Sequence, residues 1–367
     1  MTADTSPLAD ALDGAEVVIC CGSGGVGKTT TAAALGLGAA RRGERVLVLT
    51  IDPAKRLADA LGLKEVGNIE TRVALARTKG ELSVAMLDTS ASWDALVRRH
   101  APDPSTRDKI LANPLYRNIT QRFVQSHDYI AMERLYELQA SGHWDRIVID
   151  TPPSRHALDF IDAPERMAGF FSSSLLKWIT LPYRVGGARA GRLGYLAAKP
   201  FYQLADRILG SQFLESIAEF FLLFQTMHAG FVQRARSVTA LLREPTTRFV
   251  VVSTIRPAPL REAEFFLAEL GRRQLTLGAM VLNRVSPLEF CDPEAKTAAT
   301  ALAARPEPDL REAGATFLIH NAIAEQEKAQ LDRLAFAPET VVRVPDFDAD
   351  IASIAGLTVA AKHLWGG

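Results

Sequence analysis

The run Gly22-Ser23-Gly24-Gly25-Val26-Gly27-Lys28-Thr29 matches the pattern G-x-x-x-x-G-K-[ST] at every position. Each residue type there suits a phosphate. Glycines reach positive φ angles and bring backbone N–H groups close to an anion. The loop opens a helix whose positive end faces the same charge. Lys28 reaches the β- and γ-phosphates, and Thr29 offers its hydroxyl to magnesium; Thr30 ends the segment. The bland alternative is a glycine turn that binds nothing. The flanks argue against it, because apolar Val17–Cys21 precedes the loop and an alanine-rich helical stretch follows. The chemistry implied is binding of a nucleoside triphosphate with magnesium.

Two carboxylates fit the same chemistry. Ile147-Val148-Ile149-Asp150 has the pattern of a buried strand ending in Asp. That end is the carboxyl edge, where ligands bind in open α/β sheets. Asp150 there either holds magnesium, commonly through water, or caps the next helix. Asp52 follows the strand-like Val46–Ile51 and precedes Pro53, which stiffens the turn. Near a γ-phosphate it would orient or deprotonate the attacking water.

The elements that must position these groups read as alternating strands and helices. Expected strands are Glu16–Cys21, Arg45–Ile51, Ser83–Leu87, Arg146–Asp150, Arg248–Thr254, Leu277–Asn283 and Val341–Pro345. Expected helices are Lys28–Arg41, Ala91–His100, Ile119–Ala140, Ala258–Arg272 and roughly Ala313–Leu334. Short apolar strands alternating with helices imply an α/β fold with a mostly parallel sheet covered by helices on both faces. Residues 1–14 read as a flexible N-terminus and 15–367 as the phosphate-loop domain. The interval from about 160 to 242 has helical periodicity and no strand pattern, as a helical subdomain inserted in that domain would. Within it, Ile217, Phe220, Phe221, Phe224, Met227 and Phe231 form an apolar stripe, and Phe170–Leu181 is also apolar. Such faces are either the core of the subdomain or a groove for a hydrophobic partner.

Composition narrows the class. The chain has 367 residues, 48% of them hydrophobic and 23% charged, which is globular rather than disordered. Basic and acidic residues balance at 42 each, so no overall field draws nucleic acid. No apolar run reaches the ~18–20 residues of a membrane span. The first residues have no signal-peptide pattern. The three cysteines, Cys20, Cys21 and Cys291, make neither a disulfide framework nor a four-ligand zinc site, and a reducing cytoplasm is the simplest setting.

Taken together these residues resemble the ArsA/Get3 family of ATPases, within the deviant Walker A class, over nearly the whole chain. Asp52-Pro53-Ala54 is similar to the family's switch I, whose aspartate acts on the hydrolytic water. Asp150-Thr151-Pro152-Pro153-Ser154-Arg155-His156 is similar to switch II, usually D-T-A-P-T-G-H. Val281-Leu282-Asn283-Arg284 resembles the strand end whose asparagine reads adenine, and Val344-Pro345-Asp346 lies where the family has a further adenine-side loop. The resemblance therefore implies nucleotide contacts from Gly24, Gly25, Val26, Gly27, Lys28, Thr29, Thr30, Asn283 and Pro345. It implies catalytic roles for Asp52 and Lys28, and magnesium at Thr29 and Asp150. It also implies a dimer, and ATP-driven rearrangement of the helical subdomain around a hydrophobic protein client.

The departures carry equal weight. The family's loop usually reads G-K-G-G-V-G-K-T, and its first lysine crosses the dimer to the partner's nucleotide; here that position is Ser23. A comparable arginine finger contributes about 10³–10⁵ in rate in other phosphoryl-transfer enzymes. Three readings follow. Lys55, Arg56 or Arg155 supplies the cation, in cis or across a homodimer. A paralogue carries the lysine in a heterodimer, as the resemblance to one member of a paired actinobacterial set suggests. Or ATP is a regulatory ligand with weak hydrolysis. Glu289-Phe290-Cys291-Asp292-Pro293 keeps one cysteine where tail-anchor-targeting members have C-x-x-C, which argues against a shared zinc. Cys20 and Cys21 read as packing residues, which argues against an arsenite or antimonite pump.

Overall fold

The computed structural model describes residues 6–51, 56–63, 66–76, 78–117, 124–152, 161–163, 165–166, 169, 211–333, 339–347, 351 and 353–366. The chain divides into two units, one of Met1–Leu87, Leu138–Leu158 and Arg243–Gly367, the other of Asp88–Glu137 and Asp159–Leu242.

The first unit is built on one eight-stranded sheet. Its strands are β1 (Val17–Cys21), β2 (Arg45–Thr50), β3 (Thr71–Arg72), β4 (Glu81–Met86), β5 (Arg146–Asp150), β6 (Thr247–Ser253), β7 (Leu277–Val285) and β8 (Val341–Pro345). The spatial order is β3-β4-β2-β5-β1-β6-β7-β8, and every pairing is parallel except the short β3 against β4. The expected parallel α/β sheet is therefore present. β1 and β5 are buried along their whole length, as strands covered on both faces must be. The chain leaves β1 towards β2 on one side, and β6 lies on the other. That reversal makes the carboxyl end of β1 the switch point where open α/β sheets bind ligands.

Helix α1 (Pro7–Ala11) lies in the stretch expected to be flexible. Leu8 and Leu12 are fully buried there, each stabilising by roughly 1.5–3 kcal/mol. The Ser6 hydroxyl also donates to the Leu364 carbonyl. Helix α2 (Lys28–Arg41) follows the phosphate loop and is buried almost throughout, against β2 and β5 on one side. Its small residues permit the close approach. A Cβ on Gly38 would come within 2.0 Å of the Trp365 ring. Trp365 ends a C-terminal helix, Ile354–Trp365, that the sequence reading did not foresee. Arg42 and Arg146 lie over its ring at 5.3 and 5.9 Å. Arg146 in turn pairs with Glu44 and donates to the Leu12 carbonyl, so the first and last helices share one anchor.

The second unit is helical. It holds α4 (Thr89–His100) and α5 (Pro104–Ala112), which follow the short α3 (Arg56–Ala60) of the first unit. It also holds most of α6 (Val124–Ala140), then α7 (Ser211–Gln225) and most of α8 (His228–Arg243). Residues 88–137, read from sequence as part of the sheet domain, thus pack with the helical interval. The apolar stripe is largely core. Phe220, Phe224, Met227 and Phe231 are buried. Trp93 lies 6.0 Å from Phe224 and 6.2 Å from Phe231, and Tyr129 lies 5.9 Å from Phe231. Phe170–Leu181 lies outside the described residues.

Candidate functional site

The loop from Gly22 to Gly27 connects β1 to α2 at the switch point. Gly27 is the N-cap of α2 at φ 96°, a left-handed conformation that would strain any side chain. The first turn of α2 has no side-chain cap, so its N–H groups point toward an incoming anion. The Lys28 side chain is buried, and its Nζ donates to the Ser23 carbonyl at 2.9 Å, across the curl of the loop. Ser23 is buried too, and its Oγ makes no hydrogen bond among the described residues.

Asp150 stands at the carboxyl end of β5, in register with Cys20 of β1 and Thr50 of β2. Only 1% of it is exposed. The Thr29 hydroxyl donates to Asp150 Oδ2 at 2.7 Å, and the Thr50 hydroxyl to the same oxygen at 3.1 Å. Thr151 is occupied elsewhere, donating to the Cys20 carbonyl at 2.8 Å. The residue pair expected at magnesium is therefore assembled by the sheet register. Thr50, which completes it, was missed from sequence; its only signal was its place at the end of β2.

These donors fit a magnesium ion held partly by phosphates and water. Magnesium takes oxygen ligands and keeps several waters, needing only one or two side chains. Among the described residues no cluster of three or more Asp, Glu, His or Cys forms a protein-only cage.

Asn283 lies near the end of β7, beside the loop. Its Nδ2 donates to the Val26 carbonyl at 2.8 Å, and it sits so close to Gly27 that a Cβ there would meet Nδ2 at 2.1 Å. A carbonyl can only accept, so this bond fixes which way the amide points. Its Oδ1 is left as an acceptor. Pro345 ends β8 and pairs with Val285, past a register shift between Asn283 and Val285.

A cavity of about 760 Å³ opens beside the loop. Its wall includes Gly24, Gly25 and Val26 from the loop, Arg284 from β7, Phe347 after β8, and Phe290. That volume lies within the range of small-molecule and cofactor sites. The far wall comes from a long helix, Pro308–Leu331, tied in place by two bonds: Asn321 Nδ2 donates to the Phe290 carbonyl at 2.6 Å, and Glu327 Oε2 accepts from the Ser286 N–H at 2.9 Å. His320 stacks on Phe290 at 4.8 Å. This aromatic wall had no sequence signature, because its members come from separate elements.

Asp52, Lys55 and Arg155 lie outside the described residues, as does the side chain of Arg56. Cys20 and Cys21 are fully buried on β1, and burial pushes both thiols well up. Neither cysteine therefore presents a thiolate to solvent.

Comparison with known proteins points to one family of ATPases. Residues 15–305 match the family model described as anion-transporting ATPase. An ATPase GET3 of Malassezia globosa is 24% identical over 269 residues, 73% of this chain and 72% of that protein. An ATPase get3 of Aspergillus terreus is 26% identical, covering 72% and 71% respectively. A putative arsenical pump-driving ATPase 1 of Aquifex aeolicus is 23% identical, covering 76% of this chain and 65% of that protein.

Proposed function

The chain belongs to the anion-transporting ATPase family, the ArsA/Get3 ATPases, and from that premise we propose that it binds ATP with magnesium at Gly22–Thr30 and works as a nucleotide-driven conformational switch. One observation carries the reading: Thr29 Oγ1 and Asp150 Oδ2 meet at 2.7 Å at the head of α2, directly behind a complete phosphate loop. Magnesium, when bound, neutralises charge on the β- and γ-phosphates. The chain's own groups do the rest. N–H groups from Gly24 to Thr30 cradle the phosphates, and Lys28 turns its ammonium from the Ser23 carbonyl to the phosphate oxygens. Thr29 and Asp150 would hold the metal. Asp52, by its switch I position, orients the attacking water.

Asn283 supports adenine as the base. With Nδ2 committed to Val26, Oδ1 is available to the exocyclic amino group of adenine, a donor. Guanine presents O6 at that position, an acceptor facing an acceptor. Pro345 closes the same side. ATP should therefore bind in preference to GTP.

Ser23 favours a second reading of the catalysis. A neutral, buried residue stands where the family's loop has a lysine, so hydrolysis by this chain alone is slow. A lysine-bearing paralogue in a heterodimer would restore it; a homodimer using Lys55, Arg56 or Arg155 is the competing arrangement. A hydrophobic protein client for the helical unit rests on the family resemblance. The buried thiols of Cys20 and Cys21 speak against metalloid as the cargo.

The test is magnesium-ATP binding by calorimetry together with turnover. Lys28→Ala should abolish binding, Asp52→Asn should bind but not turn over, and Ser23→Lys should raise turnover by at least about tenfold. Unchanged ATP affinity in Lys28→Ala would sink the nucleotide site. Brisk wild-type turnover, unmoved by Ser23→Lys, would sink the missing-charge account.

A further inference from the structure

Resting on the nucleotide reading above, we propose that Arg284 is the residue that clamps the nucleobase, its guanidinium laid against the face of the ring.

Three observations converge on it. Arg284 is one of only two non-glycine residues among those described with a positive φ, at 57°. It sits in a register shift of β7 against β8, between Asn283, paired with Val344, and Val285, paired with Pro345. A bulge of this kind re-aims one side chain out of the ladder, and such bulges gather beside active sites. Arg284 also lines the cavity beside the phosphate loop. The strain is left-handed backbone in a residue that has no intrinsic preference for it, a conformation kept where the surroundings require it.

The cavity's place on the loop decides which part of a nucleotide Arg284 meets. The loop contributes Gly24, Gly25 and Val26 to the wall, whereas Lys28, Thr29 and Asp150, the γ-phosphate and magnesium end, are not part of it. A nucleotide with its phosphates in the loop has only its nucleoside to offer the cavity. Arg284 therefore does not replace the charge missing at Ser23. The wall there is suited to a flat ring, with Phe290 and Phe347 among its members. Guanidinium is planar, weakly hydrated and stacks on aromatic faces, which an ammonium does not do as well. Arg256, the other arginine on the wall, stands at an ordinary φ of −81° ahead of a helix, so strain singles out Arg284.

The experiment compares ATP with inorganic tripolyphosphate, both with magnesium, on the full chain by calorimetry. Arg284→Ala should weaken ATP about tenfold, 1.4 kcal/mol, and leave tripolyphosphate unchanged. Arg284→Lys should recover less than half of the loss on a logarithmic scale. Arg284→Gly suits the left-handed backbone, so it should melt at a higher temperature than wild type while binding ATP as weakly as Arg284→Ala. That pairing of a stabler fold with a weaker site separates a clamp from a structural residue. Equal loss of ATP and tripolyphosphate would make Arg284 a phosphate contact and overturn the proposal, as would wild-type ATP affinity in Arg284→Gly. ATP binding indifferent to Lys28→Ala would overturn the nucleotide reading itself.

Discussion

Replacing Gly27 by alanine should cost more than a loop substitution ordinarily does, and the structure says why in two separable parts. The residue sits at φ 96°, so a Cβ brings left-handed strain of roughly 1–2 kcal/mol. The new methyl would also lie 2.1 Å from Asn283 Nδ2, which cannot stand. Asn283 must swing away and lose its 2.8 Å bond to the Val26 carbonyl, a further ~0.5–1.5 kcal/mol. The expected total is about 1.5–3.5 kcal/mol, read as ΔΔG from the urea transition of the sheet-containing unit by far-ultraviolet circular dichroism. A double-mutant cycle isolates the second part. In an Asn283→Ala background the clash and the bond are both gone, so Gly27→Ala should cost only the backbone strain. A coupling of ~0.5–1.5 kcal/mol is expected. Additivity within about 0.3 kcal/mol would refute the claim that β7 and the phosphate loop are locked together through this one amide.

Trp365→Ala should destabilise the chain by about 3–5 kcal/mol, because it empties the space against Gly38 and removes the ring under Arg42 and Arg146. Val359→Ala on the same helix, 46% exposed, should stay within about 0.5 kcal/mol, both variants being read by thermal denaturation. Asp145, held by Arg45 below the usual carboxylate range, should give a pH-dependent difference. Its folded value is depressed, so its contribution is complete above the unfolded carboxylate value and fades as pH falls through the folded one. Asp145→Asn should thus lower Tm slightly at neutral pH and progressively less as pH falls below the usual carboxylate range, with added salt shrinking the gap. A Tm difference that grows on acidification would contradict the pairing.

Much of the site was legible because it is written in short contiguous runs. The eight residues from Gly22 to Thr29 specify the loop, and the apolar strand before it and the alanines after it specify its context. β5 and β8 have the bounds expected of them, Arg146–Asp150 and Val341–Pro345. Their buried or alternating patterns are local, and so is the turn chemistry at their ends. Among the described residues, besides the short α1 and α3, three longer helices escaped notice: Pro104–Ala112, Pro293–Ala303 and Ile354–Trp365. The first two open on proline, which reads as a break until its place at the first turn is known. The split into units also escaped, since periodicity marks helices but not which neighbour they pack on.

What the sequence determined by itself was the chemistry available: a glycine-rich anion cradle, a lysine, a threonine and carboxylates at strand ends. What only tertiary structure decided was adjacency. Thr29 and Thr50 reach Asp150, 121 and 100 positions away along the chain, because β1, which feeds the loop before Thr29, and β2 both align in register with β5. Asn283 is pinned to Val26, 257 positions away, by a bond that also sets which of its amide atoms is left as an acceptor. Arg284 acquires its left-handed backbone from the mismatch between β7 and β8. Residue types set which bonds and charges are on offer, but hydrogen bonds act over about 3 Å. Which of those offers are taken up is settled by the strand order and register that bring the groups into reach.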